Sequence, residues 1–230
     1  MDNEQKQDVA KAKGVSVRVG VVLAVFMLLL LVFLLIMKEL VLGNQTGFDQ
    51  SVFQSLRPIT SPAATSIFTF LTFFGSTKFL LPAYILIALF FIFFKRNTVR
   101  SFNVIAIGLS SVGLLFLMKN IFQRQRPPDP LIAHVSGFSF PSGHSFSTFT
   151  FCGIFIYLLW ESAVNRAIKW LGTIALVVFA ASVATSRVYL HVHYASDVIA
   201  GFCLSFLWLT ICIYLLSKMT KRGKVKTTTD

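Results

Sequence analysis

Long uncharged stretches alternate with short charged clusters along the chain. The first stretch, residues 19–37, lies between Arg18 and Lys38 and is long enough to cross the apolar core of a bilayer as a helix. No small-residue cleavage site follows it, so we interpret it as an uncleaved helix and not as a secretory signal. Five further stretches have lengths that suit tilted spans: residues 79–94, 101–118, 145–160, 170–186 and 198–217. The pattern predicts an all-α integral membrane protein with six transmembrane helices.

The segment 58–77 is also uncharged, but its prolines, glycine and many hydroxyl groups disfavour a free-standing span. We interpret it as a membrane-surface helix that lies on or dips into the bilayer. A seventh span here would instead put the two termini on opposite sides. With six spans, fourteen of the twenty-one Lys and Arg residues fall on one side, which the positive-inside rule makes cytoplasmic. Both termini are then predicted to be cytoplasmic, with basic tails at 1–18 and 218–230 around a six-span domain at 19–217.

Composition supports a membrane protein and narrows its chemistry. Hydrophobic residues make up 55% of the chain, charged residues only 13%, and the mean hydropathy is +0.74. A formal net charge of +12 would suggest a nucleic-acid partner in a soluble domain, but this apolar excess argues against one. The three cysteines lie inside apolar stretches, so we expect no disulfide framework and no zinc site. Acidic residues are too few for a carboxylate metal cage, and we expect chemistry without a metal or other cofactor.

The predicted topology places three cations and two hydrogen-bond donors that can bind an anion at the same end of the spans. Lys119, Arg126 and Arg187 can neutralise the non-bridging oxygens of a phosphate group, the arginines through bidentate forks and the lysine as a point charge. Ser142 and Gly143 precede the fourth predicted span, where a hydroxyl and the unpaired N–H groups of a helix start can bind the same oxygens. Such donors are suited to charge that develops in a transition state.

Two histidines and one carboxylate accompany these phosphate-binding candidates. His193 and Asp197 are four residues apart, which places them on one face at the start of the sixth predicted helix. The carboxylate can accept the Nδ1 proton and leave Nε2 free to attack phosphorus. His144 can then protonate the departing alkoxide and later deprotonate the water that hydrolyses a phosphohistidine.

Three motifs occur in order along the chain: a Lys with Arg-Pro seven positions later, then Pro-Ser-Gly-His, then Ser-Arg with a His six and an Asp ten positions after that Arg. They occupy Lys119–Pro127, Pro141–His144 and Ser186–Asp197. Together they resemble the three-part signature of the type 2 phosphatidic acid phosphatase superfamily, which also contains lipid phosphate phosphatases, glucose-6-phosphatases and vanadium haloperoxidases. Every position of the signature is matched.

The resemblance implies a six-helix membrane enzyme that hydrolyses a phosphomonoester or pyrophosphate without a metal, at a site facing outward. It implies His193 as nucleophile, Asp197 as its partner and His144 as acid and base. It also implies five phosphate ligands: Lys119, Arg126, Ser142, Gly143 and Arg187.

Four nearby polar residues are interpreted as bystanders. His191 is two residues before His193, so on a helix the two side chains would point in different directions. His134, Arg124 and Asp129 lie in the loop between the first two motifs. They can reach a lipid head group, but we expect them chiefly to meet water.

The predicted function is hydrolysis of a lipid phosphate that enters sideways from the outer leaflet of a bacterial cell membrane. Undecaprenyl pyrophosphate and phosphatidylglycerophosphate are the leading substrate candidates, followed by phosphatidic acid, and by a lipid A phosphate in a Gram-negative host. Two alternatives stay open. One is a phosphotransferase of the same fold, and the other is a transporter, although polar residues along the span interiors would then be expected.

Overall fold

The computed structural model describes residues 3–133 and 135–226, and in these residues it contains helices and no strand. The helices are α1 (Asn3–Leu35), α2 (Gly47–Leu56), α3 (Pro62–Phe73), α4 (Thr77–Phe93), α5 (Thr98–Phe122), α6 (Gly143–Glu161), α7 (Arg166–Tyr189) and α8 (Ala195–Lys226). Helix α1 continues into a π-helical segment, Ile36–Leu42, and a short 3₁₀ turn at Arg57–Ile59 follows α2.

Side-chain caps define where several helices start. Ser61, Asn97 and Asn165 precede α3, α5 and α7, and in each case the side-chain oxygen accepts a hydrogen bond from a backbone N–H three residues later. Such a cap satisfies one of the donors that a helix start leaves unpaired. Helix α5 is followed by Gln123, whose left-handed backbone (φ 45°) turns the chain toward the motif-bearing loop.

Helix α6 lies at the centre of the bundle, where it packs against α7 and α8. Small residues permit the close approach to α8: a Cβ on Gly153 would lie 2.5 Å from Leu209 Cδ2, and one on Gly201 would lie 3.0 Å from the Ser142 carbonyl oxygen. Outside this core, α1 packs on α8, α4 on α5, and α3 on α7. The bundle therefore holds the start of α6 against the start of α8.

Five segments of the described chain are long and apolar enough to cross a membrane: Val19–Leu42, Pro62–Phe93, Thr98–Phe122, Arg166–Tyr189 and Ala195–Met219. They contain or largely overlap five of the six predicted spans. Apolar side chains on them are well exposed, among them Leu28, Phe93 and Phe116. The chain is thus an all-helical, multi-pass membrane protein. The count of six spans and the cytoplasmic position of both termini stay predictions.

The fourth predicted span, residues 145–160, lies within α6, which is not among these five segments. Its first half carries polar side chains that face protein instead of lipid: Ser145, Thr148 and Thr150 are fully buried, and Thr150 donates a hydrogen bond to Ser205 of α8. A helix surrounded by other helices does not need an apolar surface on every side.

The segment predicted as a surface helix, residues 58–77, contains α3 and the turn into α4. By length and composition α3 and α4 form one continuous apolar segment, although a turn at residues 74–76 separates the two helices. Phe68 of α3 stacks on Tyr189 of α7, with ring centroids 4.1 Å apart. This contact holds α3 against the end of the bundle where the motifs lie.

Candidate active site

The sequence motifs converge where α5 and α7 end and α6 and α8 begin, which we call the site end of the bundle. Lys119, in the last turn of α5, donates a hydrogen bond from Nζ to the carbonyl oxygen of Phe138. It also lies beside the start of α6, since a Cβ on Gly143 would be 3.8 Å from Lys119 Cε. Lys119 and the start of α6 therefore lie side by side, and their shared role in phosphate binding stays a prediction.

Arg126 is held by the loop that follows it in the chain and by the turn before α8. Nε donates to the carbonyl oxygen of Gly137 (2.8 Å), Nη2 to that of Ser136 (3.0 Å) and Nη1 to that of Val192 (2.7 Å). Nη1 also lies 3.2 Å from Nε2 of His193. The guanidinium thus fixes the loop over the site as well as placing a cation beside the predicted nucleophile.

Arg187 is nearly buried at the end of α7 and bonds to a residue of α3. Its Nη1 donates to Thr72 Oγ1 at 2.6 Å. Its Nε, also buried, has no hydrogen-bond partner among the residues that the structure describes. A buried guanidinium nitrogen without an acceptor is energetically unfavourable unless a ligand supplies one.

His193 and Asp197 meet at the start of α8, together with a serine that the motifs do not contain. His193 precedes the helix instead of lying on it, and its Nδ1 is 3.5 Å from Asp197 Oδ2. The Ser139 hydroxyl lies 3.3 Å from the same Nδ1 and donates a short hydrogen bond to the same carboxylate oxygen. Asp197 also accepts the backbone N–H of Tyr194 at 3.0 Å, which caps α8.

His193 is 1% exposed, and burial lowers its pKa to about 4. Asp197 opposes this shift of the pKa, whereas Arg126 and Arg187 add to it. Because a guanidinium only donates, a hydrogen bond from Arg126 requires an unprotonated Nε2. The site therefore favours a neutral imidazole whose lone pair is on Nε2.

His144 lies in the first turn of α6, close to the same charges. The positive charges of Arg187, Arg126 and Lys119 all act on it. The turn between α3 and α4 covers it, since a Cβ on Gly75 would lie 3.0 Å from His144 Cδ2. Ser142 is fully buried and starts α6 without capping it, so the N–H groups of the first turn are not occupied by that side chain.

All eight predicted site residues therefore collect at the site end, and four further residues join them. Thr72 and Ser139 contact Arg187 and the His193–Asp197 pair, as described above. The other two, Asp49 and Arg124, lie behind Asp197. No motif spacing marks any of the four.

The expectation that Arg124 chiefly meets water is wrong. Its side chain is only 9% exposed and bridges the carboxylates of Asp49 and Asp197, at 2.9 Å and 2.6 Å. Two acids that are far apart in sequence therefore share one guanidinium. Asp129 is exposed, as expected, and His134 lies outside the described residues.

His191 has a left-handed backbone (φ 53°), and its ring packs 4.7 Å from that of Phe53 in α2. Its Nε2 has no hydrogen-bond partner in the described part of the chain. Within residues 3–133 and 135–226, no three His, Cys, Asp or Glu side chains gather as metal ligands.

Comparison with known proteins identifies the family to which this arrangement belongs. The model of the PAP2 superfamily matches residues 99–221, more than half of the chain and all three motifs. The chain belongs to the PAP2 superfamily. The family resemblance inferred from the motifs is thereby confirmed.

Two relatives from Bacillus subtilis cover most of this PAP2 chain. Phosphatidylglycerophosphatase B of strain 168 is 29% identical over 181 residues, which are 78% of this chain and 88% of the relative. The crystal structure of a transmembrane PAP2-type phosphatidylglycerolphosphate phosphatase is 26% identical, with a TM-score of 0.72 over 86% of this chain and 96% of that one.

A third similarity supports the fold alone. The crystal structure of LpxE from Aquifex aeolicus is 23% identical and has a TM-score of 0.55. The aligned parts are 72% of this chain and 94% of that one.

Proposed function

We propose that this PAP2 protein is a membrane lipid phosphatase that works through a phosphohistidine on His193. The observation that carries the proposal is the environment of Nε2: an unprotonated nitrogen, 3.2 Å from Arg126, in a cluster that also contains Lys119 and Arg187. A lone pair directed among three cations is suited to attack on an anionic phosphoryl group.

The phosphate oxygens would take the unpaired donors of the cluster. Arg187 offers its buried Nε, and the first turn of α6, which starts at Gly143, offers backbone N–H groups. When the substrate enters, Arg126 Nη1 exchanges its contact with Nε2 for a phosphate oxygen, which frees the lone pair for attack. Lys119 supplies a further charge from the end of α5.

In the first step His193 Nε2 forms a bond to phosphorus while the bond between phosphorus and the leaving oxygen breaks. The leaving oxygen takes a proton from His144. Burial and then the surrounding cations lower the pKa of His144 in the empty site, and the negative charge of a bound phosphate offsets these cations. Ser139 and Asp197 stabilise the Nδ1 proton as positive charge develops on the ring.

In the second step water attacks the phosphorus of the phosphohistidine. His144 takes the proton of that water, the Nε2–phosphorus bond breaks, and inorganic phosphate leaves. Both histidines then return to their starting protonation states. The proposed reaction needs no metal ion.

Phosphatidylglycerophosphate is the substrate that we favour, because both Bacillus subtilis relatives are named for its hydrolysis. Undecaprenyl pyrophosphate is the second candidate, and phosphatidic acid and lipid A phosphates follow. We place the protein in the cell membrane with six spans, both termini in the cytoplasm and the site on the extracytoplasmic face, as the distribution of positive charge favours.

The test is phosphate release by purified protein in detergent from these four classes of lipid phosphate and from p-nitrophenyl phosphate. His193→Gln serves as the matched inactive variant. We expect release from at least one lipid phosphate, fastest from phosphatidylglycerophosphate. Labelled phosphate that stays in lipid would show a phosphotransferase, and no release from any substrate would refute the proposal.

Chelation tests the metal-independent step separately. Activity should be unchanged in excess EDTA, because three side-chain cations take the place that a metal clamp would fill. Loss of turnover in EDTA that Mg²⁺ restores would contradict this mechanism.

A further inference from the structure

A line of buried charges connects α2 to the predicted catalytic carboxylate. Asp49 of α2 is fully buried, and its Oδ1 accepts the backbone N–H of Ser196 at 2.9 Å. Its Oδ2 accepts the Ser196 hydroxyl at 2.7 Å and Arg124 Nη2 at 2.9 Å. Helix α2 thereby reaches the first turn of α8, although Asp49 and Ser196 are 147 positions apart in the sequence.

Arg124 continues the line from Asp49 to Asp197. Its Nη1 donates to Asp197 Oδ1 at 2.6 Å and to the Ser196 hydroxyl at 2.7 Å. Its guanidinium carbon lies 4.1 Å from the centroid of the Tyr194 ring. Nη1 is engaged by the Asp197 oxygen that His193 does not contact and Nη2 by Asp49, so Arg124 does not act as a phosphate ligand here.

Stability alone does not account for this arrangement. Two carboxylates and a guanidinium buried together contribute little compared with apolar residues of the same size, because desolvation offsets their attraction. What the arrangement does is fix the carboxylate. Arg124 holds Oδ1 of Asp197, and Oδ2 is left for Ser139, the Tyr194 N–H and the imidazole.

We propose that Arg124 and Asp49 are positioning residues of the active site. Arg124 orients Asp197 toward the His193 ring, and Asp49 in turn holds Arg124. Helix α2, which lies outside the three motifs and the region matched by the family model, thereby becomes part of the catalytic apparatus. This inference rests on the proposed function of His193 as nucleophile.

Arg124 also moderates the charge that Asp197 exerts on the imidazole. The negative carboxylate favours a protonated His193, and the adjacent guanidinium weakens that effect. Other charges that face His193 are those of Arg126 from the loop and Arg187 from α7, and His144 faces it from α6. These groups remain in a variant of Arg124, so such a variant isolates the contribution of Arg124.

The kinetic test compares Arg124→Gln and Arg124→Lys with wild type on the best substrate and on p-nitrophenyl phosphate. We expect kcat to fall about 10- to 100-fold in Arg124→Gln. Displacement of a catalytic group by about 1 Å, here the Asp197 carboxylate, has effects of this size. KM should stay within about twofold, since no phosphate ligand is lost. Arg124→Lys should recover part of kcat, because it retains the charge but cannot bridge both carboxylates.

Arg100→Gln is the matched control for loss of an ion-paired arginine. Arg100 binds Glu161 at 3.0 Å, away from the site end, and its variant should retain wild-type kcat.

Asp49→Asn should lower kcat when introduced alone and have little further effect in Arg124→Gln, because Asp49 acts through Arg124. Full additivity of the two losses would contradict that order.

A second measurement does not depend on turnover. Ring-labelled histidine, assigned with His193→Gln, reports the protonation of His193 by NMR. In Arg124→Gln the His193 titration should move upward by about one pH unit, because the Asp197 charge is no longer compensated. If Arg124 contributed only to the stability of the fold, its loss would not shift the pKa of His193 systematically upward.

The outcomes separate this inference from the proposed function. If the wild type hydrolyses no phosphate ester but the His193 titration shifts in Arg124→Gln, the coupling of Arg124 to His193 stands and the proposed function fails. If the wild type is active and a folded Arg124→Gln retains both kcat and the wild-type titration, the positioning role is refuted. Should Arg124→Gln fail to fold, Arg124→Lys and Asp49→Asn are read against the same two criteria.

Discussion

The two ends of the bundle hold arginine–carboxylate pairs of similar geometry in very different surroundings. At the site end, the Arg124–Asp197 side chains are 9% and 0% exposed, and every carboxylate oxygen has a partner. At the far end, where α5 begins and α6 ends, the Arg100–Glu161 side chains are 39% and 38% exposed and line a cavity of about 450 Å³. Burial, and not the presence of an ion pair, distinguishes the end where the predicted catalytic residues lie.

The energetic consequence differs accordingly. A pair exposed to water contributes about 0–1 kcal/mol, whereas removal of one partner from a buried pair costs about 3–5 kcal/mol. A charged group that is buried away from water needs a partner, which is either another side chain or a bound ligand. We therefore expect substitutions to matter strongly at the site end and weakly at the far end.

The largest effect should come from His193→Gln, which removes the nucleophile and retains a polar side chain of similar size. We expect kcat to fall about 10⁴-fold or more for both lipid and aryl phosphates. Rapid quench with labelled substrate should find no phosphorylated protein. A labelled His193→Gln variant would assign the nucleophile elsewhere.

His144→Ala should separate the two classes of substrate. A lipid alkoxide cannot leave without a proton, so its turnover should fall about 10²- to 10⁴-fold, whereas nitrophenolate leaves unaided. Because the same residue activates water, a phosphohistidine should accumulate from the aryl substrate. Its signature is label that is stable in base and released in acid. Equal impairment of both substrates with no trapped label would contradict the assigned role.

The contrast between these histidines and their supporting residues shows what sequence can predict. The uncharged stretches predicted the spans. The resulting topology placed Lys119, Arg126 and Arg187 at the same end of the spans, where they were expected to lie near one another. The uncharged stretch at 145–160 predicted a span, but it did not predict that the polar side chains of α6 would be buried by neighbouring helices. That burial is a property of packing and has no signal in one segment.

The supporting residues were missed for the same reason. Thr72 lies in a segment interpreted as a membrane-surface helix, and Asp49 lies in a short helix with no motif. Arg124 and Ser139 lie in the connection between α5 and α6, where a polar residue is ordinarily solvated. Each of these side chains contacts a partner that is distant in the sequence. The one sequence signal for a buried acid such as Asp49 is that this apolar chain contains few acidic residues.

Thr72→Val tests a contact of intermediate importance. The substitution retains shape but leaves Arg187 Nη1 without its acceptor at 2.6 Å. Loss of one hydrogen bond to a charged group should lower kcat/KM about tenfold. Thr72→Ser, which keeps the hydroxyl, is the matched control. Equal kinetics in the two variants would show that α3 does not position Arg187.

The smallest effect should come from the far end. Arg100→Gln and Glu161→Gln each remove one charge of an exposed pair, and Tyr157, which donates to Glu161 at 2.6 Å, can still donate to a glutamine. A double-mutant cycle on thermal unfolding in detergent should give a coupling of about 0.2–1 kcal/mol that weakens with added salt. Phosphatase kinetics should not change in any of the three variants. A coupling of several kcal/mol, or a loss of turnover comparable to that in Arg124→Gln, would show that burial does not separate the two ends and that the far-end pair belongs to the working site.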